Sequence, residues 1–234
     1  MRCERAMIDG KPIGSTKKYA LRGLLLLVGN TFYAFGIVIS VNANIGYAPC
    51  EIFHMGLSLT TGISFGVVSI IVGIVLVVIV TISGEIIGFG TVISMIITGL
   101  IIDLLFMLNI IHKAENMIVG IIMLVAGLFI ISLGSYFYIS SALGVGPRDN
   151  LMVVMTRKTK MPVGVCRSIV ELSITLVGWL LGGMVGIGTV ISVIAIGFCI
   201  QITFNIFKFN PAEVEHETLK QTYKALKGAM RRKE

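Results

Sequence analysis

The chain has 234 residues, of which 56% are hydrophobic and 13% are charged, and its mean hydropathy is +0.96. Soluble domains carry about 25% charged residues, so this composition excludes a soluble globular fold and indicates an integral membrane protein. The formal net charge is +7. Basic and acidic residues occur in equal numbers between Gly23 and Phe207, so the excess positive charge lies in the two terminal segments.

These terminal segments predict the orientation of the chain, because basic residues beside a membrane span stay cytoplasmic and face anionic lipid headgroups. We expect residues 1–22 to form a basic cytoplasmic tail. Residues 210–234 predict a cytoplasmic amphipathic helix with acidic residues first and basic residues last. The polar start of the chain argues against a cleaved signal peptide. Basic tails also occur in nucleic-acid-binding proteins, but nothing else in the sequence supports a nucleic-acid partner.

Six apolar segments are long enough to cross a bilayer, which takes about 20 helical residues. The predicted spans are residues 23–41, 64–82, 91–111, 117–139, 163–181 and 189–207. A shorter segment follows the first span of each group of three, and it contains Pro49 in the first case and Pro147 in the second. Proline favours the first turn of a helix, so each segment predicts a short helix that is either interfacial or re-entrant.

Residues 29–99 recur without a gap as residues 127–197, an offset of 98 residues. Most of the repeated positions are glycine, proline or threonine; glycine permits a positive φ and proline locks φ. The repeated turn residues are Gly46, Pro49, Gly88, Gly90 and Thr91 in the first copy and Gly144, Pro147, Gly186, Gly188 and Thr189 in the second. The two copies are therefore predicted to share their turns, with Thr91 and Thr189 as N-caps.

Each copy, residues 23–111 and residues 112–209, contains three predicted spans, and an odd number makes the second copy enter from the opposite side. The loop at residues 42–63 has no lysine or arginine, whereas the loop at residues 140–162 has four. Because basic loops remain cytoplasmic, the charges agree with this inversion. We predict an all-α membrane protein of two inverted three-helix repeats with both termini cytoplasmic. Many secondary transporters are built this way, with a site between the repeats.

Several motifs follow one another in order: Asn44–His54 (NIGYAPCEIFH) and Gly88–Thr91 (GFGT) in the first copy, and Gly144–Asp149 (GVGPRD) in the second. Over about residues 20–207 they resemble the YczE/YyaS/YitT family of bacterial membrane proteins. The resemblance implies a helical fold in a bacterial plasma membrane, without implying a substrate. The first loop of that family commonly reads Pro-Trp-Asp with a histidine three residues on. Here Cys50 stands at the aromatic position, followed by Glu51 and His54.

Ionisable side chains at membrane depth are costly unless they are paired or hydrated, so they are functional candidates. Arg167 and Glu171 lie four residues apart in one predicted span and can pair with each other. Asp103 corresponds to Gln201 in the other copy, which is a pattern expected of a proton- or cation-coupling site. The alternative is that Asp103 pairs with Arg167. In a carrier, Asp103, Arg167 and Glu171 are predicted to face one another between the repeats.

Two further candidate pairs lie in the equivalent loops, which are predicted on opposite faces of the membrane: Glu51 with His54, and Arg148 with Asp149. They could bind a ligand or gate a pathway, one pair on each side. Alternatively, the acidic residues only stabilise the N-termini of the short helices. The four cysteines are scattered without metal or disulfide spacing, so no metal site and no cofactor are expected.

These observations favour a small secondary transporter of a small-molecule substrate. Nucleotide-binding loops, zinc signatures and nucleophile elbows are missing from the sequence, so an enzyme is not expected. One alternative is a non-transporting scaffold that recruits a cytoplasmic partner through the C-terminal helix. Another is the substrate-binding subunit of a vitamin-type transporter. Such subunits resemble one another in an Ala-x-x-x-Ala pattern in the first span. Ala34 is the one alanine in the first predicted span here, which counts against this alternative. The sequence is also compatible with a homodimer.

Overall fold

A computed structural model describes residues 7–8, 11–12, 15–82, 88–144, 146–180 and 186–214. The described part contains eight α-helices, a two-residue strand pair near the N-terminus (β1, Met7–Ile8, with β2, Lys11–Pro12) and a 3-10 turn at Pro211–Glu213. The helices are α1 (Ser15–Asn42), α2 (Pro49–Thr61), α3 (Phe65–Ile82), α4 (Phe89–Leu108), α5 (Met117–Ser140), α6 (Pro147–Thr159), α7 (Val163–Leu180) and α8 (Ile187–Ile206). At the start of the predicted amphipathic helix, residues 210–234, the structure has the 3-10 turn, and residues 215–234 lie outside the described residues, as does most of the N-terminal tail.

Helix boundaries differ from the predictions at two places. α1 begins at Ser15, so the end of the predicted polar tail is helical and continuous with the first span, since no glycine or proline stands between Ser15 and Gly23. α4 ends at Leu108, three residues before the predicted end, because Asn109 adopts the left-handed conformation (φ 47°) that terminates a helix.

Four described helical segments are long and apolar enough to cross a membrane: Ala20–Asn42, Gly90–Leu108, Met117–Ser140 and Ile187–Ile206. α2 and the first part of α3 together count as a fifth, bent by 119°. Each of α3 and α7, the remaining predicted spans, has 18 residues. Such a helix is about 27 Å long, close to the thickness of the hydrocarbon core. The chain is thus a multi-pass membrane protein.

α1 and α5 pack against each other at the centre of the protein through glycines. A Cβ atom on Gly29 would lie 2.5 Å from the Tyr138 nitrogen, and one on Gly36 would lie 2.7 Å from the Gly127 oxygen. The two helices therefore run antiparallel, and the glycines let their backbones touch. Gly127 and Gly134 are the repeat counterparts of Gly29 and Gly36, so both sides of this crossing use the same positions.

The contacts of the first four helices have counterparts among the last four. α1 packs against α4 as α5 packs against α8, and α3 packs against α4 as α7 packs against α8. The short helices cross between the halves, because α2 packs against α7 and α6 packs against α3. Side chains from both halves therefore meet wherever a short helix begins.

Glycine turns bring the halves into contact at the starts of α4 and α8. Gly46 (φ 124°) and Gly144 (φ 149°) adopt conformations that favour glycine. Gly90 donates its N–H to the Leu143 oxygen at 2.9 Å, and Gly188 donates its N–H to the Ile45 oxygen at 2.8 Å. The repeated glycines therefore hold the turn of one half against the helix start of the other.

The predicted N-caps are wrong by three residues. Gly88 and Gly186 are the N-caps of α4 and α8, and Thr91 and Thr189 lie within the first turn. The Thr189 hydroxyl accepts a hydrogen bond from the Gly186 N–H and donates to the Tyr47 oxygen. Thr189 thus reaches back to the N-cap backbone and supports the start of α8 without being its cap, whereas the Thr91 hydroxyl has no hydrogen-bond partner among the described residues.

Candidate functional site

Arg167 lies at the centre of the most polar part of the interior, with only 1% of its surface exposed. Its Nη1 atom forms an ion pair with Asp149 of α6, and its Nη2 atom lies 2.8 Å from Glu171 Oε1, one turn further along α7. The Ser135 hydroxyl donates to Asp149 Oδ2 at 2.9 Å. Both carboxyl oxygens of Asp149 therefore have a hydrogen-bonding partner.

Arg148 connects Arg167 and its two carboxylate partners to the first half of the chain. Its Nε and Nη2 atoms donate to the Tyr33 hydroxyl at 3.2 and 2.6 Å. Its Nη1 atom lies 3.6 Å from Glu51 Oε1 and 3.8 Å from Glu171 Oε1. Glu51, Arg148, Asp149, Arg167 and Glu171 thus form one buried charge cluster that joins α2, α6 and α7.

The charge cluster holds three carboxylates and two guanidinium groups. Glu51 Oε2 and Glu171 Oε2 are buried and have no hydrogen-bond donor within the described part of the chain. Glu51 and Glu171 are 1% and 2% exposed. Buried carboxylate oxygens without a donor are uncommon, because such atoms lose their hydration without replacement.

Two cavities adjoin the charge cluster. The larger, which we call the open cavity, has a volume of about 80 Å³, and its polar lining includes Asn30, Tyr33, His54, Ser94, Thr98 and Arg148. The smaller, the filled cavity, has a volume of about 10 Å³ and is lined by Glu51, Arg148, Arg167 and Glu171 together with apolar side chains. The first has room for several water molecules and the second for about one. Arg148 is the residue that lines both.

The two cavities occupy equivalent places in the two halves. Every residue that lines the filled cavity has its counterpart, 98 residues away, in the lining of the open cavity. The pairs whose side chains differ most in size or charge are Arg148 and Cys50, Arg167 and Ser69, and Glu171 and Gly73. Large charged side chains therefore fill one cavity, and small side chains leave the other open.

The short helices carry the charged side chains into this interior. α2 and α6 both begin with proline, and Glu51 and Asp149 lie in their first turns. The first turn of α2 is buried and that of α6 is partly buried, whereas Leu59 near the end of α2 is 77% exposed. A helix N-terminus carries a partial positive charge, so both N-termini add positive potential near the cavities.

The structure corrects the prediction that places Glu51 with His54 and Arg148 with Asp149 on opposite faces. Glu51, Arg148 and Asp149 meet in one cluster, because α2 and α6 both begin in the interior. His54 instead lies in the open cavity with its ring edge-on to Phe65, 5.5 Å between centroids. The helix-stabilising alternative fits the first-turn positions of Glu51 and Asp149.

The prediction that Asp103 faces Arg167 and Glu171 is wrong. Asp103 accepts hydrogen bonds from the Ser64 hydroxyl at 2.6 Å and from the Gly66 N–H at 2.7 Å, so it caps the start of α3 from the neighbouring helix. Gln201 does the same for α7, accepting from the Gly164 N–H at 3.0 Å. The repeat correspondence of Asp103 and Gln201 thus reflects a shared helix cap. The predicted pairing of Arg167 with Glu171 is present.

Sequence reasoning found His54 and Arg148 but missed other polar side chains that line the open cavity, which include Asn30, Tyr33, Ser94 and Thr98. Asn30 donates from Nδ2 to the Ser94 hydroxyl at 3.1 Å, and the Thr98 hydroxyl donates to Asn30 Oδ1 at 3.3 Å. Tyr33 lies one turn after Asn30 on α1, and that spacing is the signal that could have found it. Within the described residues, no group of three or more histidine, cysteine or acidic side chains is placed to hold a metal ion.

Comparison with known proteins identifies relatives without an assigned activity. The model of DUF6198, described as a family of unknown function, matches residues 20–205. The chain is 30% identical over 200 residues to the uncharacterized membrane protein YczE of Bacillus subtilis, covering 80% of this chain and 87% of the relative. It is 28% identical to an uncharacterized protein of Haemophilus influenzae (78% and 83%) and 25% identical to the uncharacterized protein YyaS of B. subtilis (79% and 91%). No solved structure matches the chain.

Proposed function

The chain belongs to the DUF6198 family, and we propose that it is a small secondary transporter, and not an enzyme, that carries a small polar solute through the open cavity. The observation that carries this proposal is the position of that cavity. It lies between the two halves and takes Asn30 and Tyr33 from the first and Arg148 from the second. A cavity that joins two halves can change its opening when they move relative to each other.

The proposal includes six spans arranged as two inverted repeats. The antiparallel crossing of α1 and α5 supports it, because Gly29 and its counterpart Gly127 begin equivalent segments that run in opposite directions. The exchanged packing of α2 on α7 and of α6 on α3 supports it as well. We propose that α3 and α7 cross the bilayer together with the four longer helices.

We also propose a bacterial plasma membrane as the location, since the named relatives are bacterial and one is described as a membrane protein. The basic loop at residues 140–162 favours cytoplasmic termini, with the basic tails against anionic lipid headgroups. This orientation leaves the loop at residues 42–63 outside.

Alternating access can be tested without knowing the solute. Thr98→Cys, in a variant whose four native cysteines are replaced, is treated with membrane-impermeant methanethiosulfonate reagents on intact cells and on inverted vesicles. We expect labelling from both sides, because Thr98 lines the open cavity. The matched control is Ser132→Cys, which is 0% exposed and bonds within its own helix, and we expect no labelling from either side.

Labelling of Thr98→Cys from neither side would overturn the proposal and favour a sealed scaffold. Labelling from one side alone, under conditions that deplete and that supply cell metabolites, would indicate a cleft without alternating access. A positive result then directs uptake assays in proteoliposomes with labelled lactate, alanine, glycerol and ethanolamine, which are of similar size and differ in charge.

A further inference from the structure

We propose that Glu51 and Glu171 share an exchangeable proton, and that an anionic solute in the open cavity promotes its uptake by competing with them for Arg148. The inference rests on the proposed function, because it supplies that transporter with a coupling ion and a substrate class. It is carried by the geometry of Arg148, which lies between the two cavities, and by the unpaired oxygens of the filled cavity.

The charges of the cluster do not balance. Three buried carboxylates against two guanidinium groups leave one uncompensated negative charge when all five are ionised. An uncompensated charge inside a membrane protein is expensive and is normally removed by a proton or a counter-ion. The filled cavity, with a volume of about 10 Å³, has room for about one water molecule that can deliver a proton.

Glu51 and Glu171, and not Asp149, have carboxyl oxygens that are free to take the proton. Asp149 is engaged by Arg167 and by the Ser135 hydroxyl, so both of its oxygens accept hydrogen bonds. Glu51 Oε2 and Glu171 Oε2 accept none, and both residues line the filled cavity. Glu51 Oε1 and Glu171 Oε1 lie 3.6 and 3.8 Å from the same Arg148 nitrogen. Two carboxylates that share one cation favour protonation of one of them.

Within the described part of the chain, neither cavity is lined by a lysine or by an arginine other than Arg148 and Arg167. α5 and α8 contribute the apolar and hydroxyl side chains Leu128, Ile131, Ser192 and Ile196. The titratable and charged groups near the pair are Tyr33 from α1, Cys50 and His54 from α2, Arg148 and Asp149 from α6, and Arg167 from α7. Of these, the two arginines are the cations already counted.

Arg148 links the proton to an anion. Its Nε and Nη2 atoms bond the hydroxyl of Tyr33, which lines the open cavity, and its Nη1 atom lies near Glu51 and Glu171. The N-termini of α2 and α6 add positive potential at the same place. A carboxylate-sized anion that binds Arg148 weakens its attraction for the two glutamates. One glutamate then takes a proton from the aqueous phase that the cavity faces, and both proton and anion leave on the other side without any change in covalent bonds.

The proton is measured by infrared difference spectroscopy of the purified protein between acidic and alkaline pH. We expect the carbonyl stretching band of a protonated carboxyl, and we expect both Glu51→Gln and Glu171→Gln to remove it, because either change removes the excess charge. Asp103→Asn is the control that keeps the band. Absence of the band from the wild-type protein, or its survival in both glutamine variants, would overturn the proton site. Loss of the band on addition of sodium ions at constant pH would show that a metal cation, and not a proton, balances the charge, and would overturn the proton site.

The coupling between the proton and an anion is tested with charged thiol reagents as probes of the open cavity. For Thr98→Cys, we measure the rate with the anionic sulfonatoethyl reagent relative to the cationic trimethylammonium reagent, which cancels the reactivity of the thiol itself. We expect this ratio to rise about tenfold as the pH falls, the size of effect that one nearby charge produces. The ratio in Glu171→Gln should be high and independent of pH. A wild-type ratio that does not change with pH would overturn the coupling.

The two proposals fail separately. A Thr98→Cys variant that no reagent reaches, combined with a normal infrared band, would overturn the transporter and leave the proton site. Labelling from both sides without the band would leave the transporter and overturn the proton.

Discussion

The open and the filled cavity are two versions of one place in the fold. Their walls come from equivalent helices and equivalent turns, but Ser69 and Gly73 line the open cavity where Arg167 and Glu171 line the filled one. The repeated glycines and prolines therefore determine that a cavity forms, and a few side chains determine whether it holds solvent or a charge cluster. Two equivalent places in the chain thus differ in content, one an open cavity and the other a charge cluster.

We expect the largest loss of stability from a substitution in the filled cavity. Arg167→Met leaves Asp149, Glu51 and Glu171 buried with Arg148 as their one cation, and breaking a buried ion pair in this way costs about 3–5 kcal/mol of stability. The measurement is the temperature at which the purified protein loses its monodisperse state in detergent. The counterpart Ser69→Ala removes one hydroxyl beside the open cavity, and we expect a loss below about 1 kcal/mol. Equal losses of stability in the two variants would show that the filled cavity does not depend on its charged side chains more than the open cavity depends on its hydroxyl.

A smaller effect on stability, with a clear effect on access, is expected when the open cavity is filled. A Cβ atom on Gly73 would meet the sulfur of Met95 at 2.6 Å, and this flexible side chain can move. Gly73→Leu should therefore cost less than about 2 kcal/mol. It should reduce the labelling of Thr98→Cys to the level of Ser132→Cys. Gly56→Leu is the control, since no atom lies within 4 Å of its Cβ position. Unchanged labelling would contradict the role of the open cavity as the pathway.

The smallest effect is expected at the helix caps. Asp103→Asn keeps an oxygen that accepts from the Gly66 N–H, so we expect a loss of about 1 kcal/mol or less and no change in Thr98→Cys labelling. The same measurements on Gln201→Glu test the equivalent cap of α7. A loss of labelling in Asp103→Asn at unchanged stability would restore a functional role to this carboxyl.

The sequence predicts the short helices and most helix positions well, because glycine and proline act on the local backbone. It does not predict the charge cluster. Glu51 lies far from Arg148 along the chain, and they meet because α2 and α6 begin in the interior and pack across the halves. The role of Asp103 is mispredicted for a related reason. Its position within an apolar segment does not reveal that the first turn of α3 needs a hydrogen-bond acceptor. Residue types thus predict local conformation, whereas charge partners depend on how helices cross.

The exchanged packing of α2 and α7 has a consequence for biosynthesis. About 100 residues separate the end of α2 from the start of α7, which corresponds to roughly 5–20 seconds of translation. During this interval Glu51 has entered the membrane region before Arg148 and Arg167 have left the ribosome. The newly inserted first half therefore depends on lipid, water or the insertion machinery to accommodate an acidic side chain until the second half arrives.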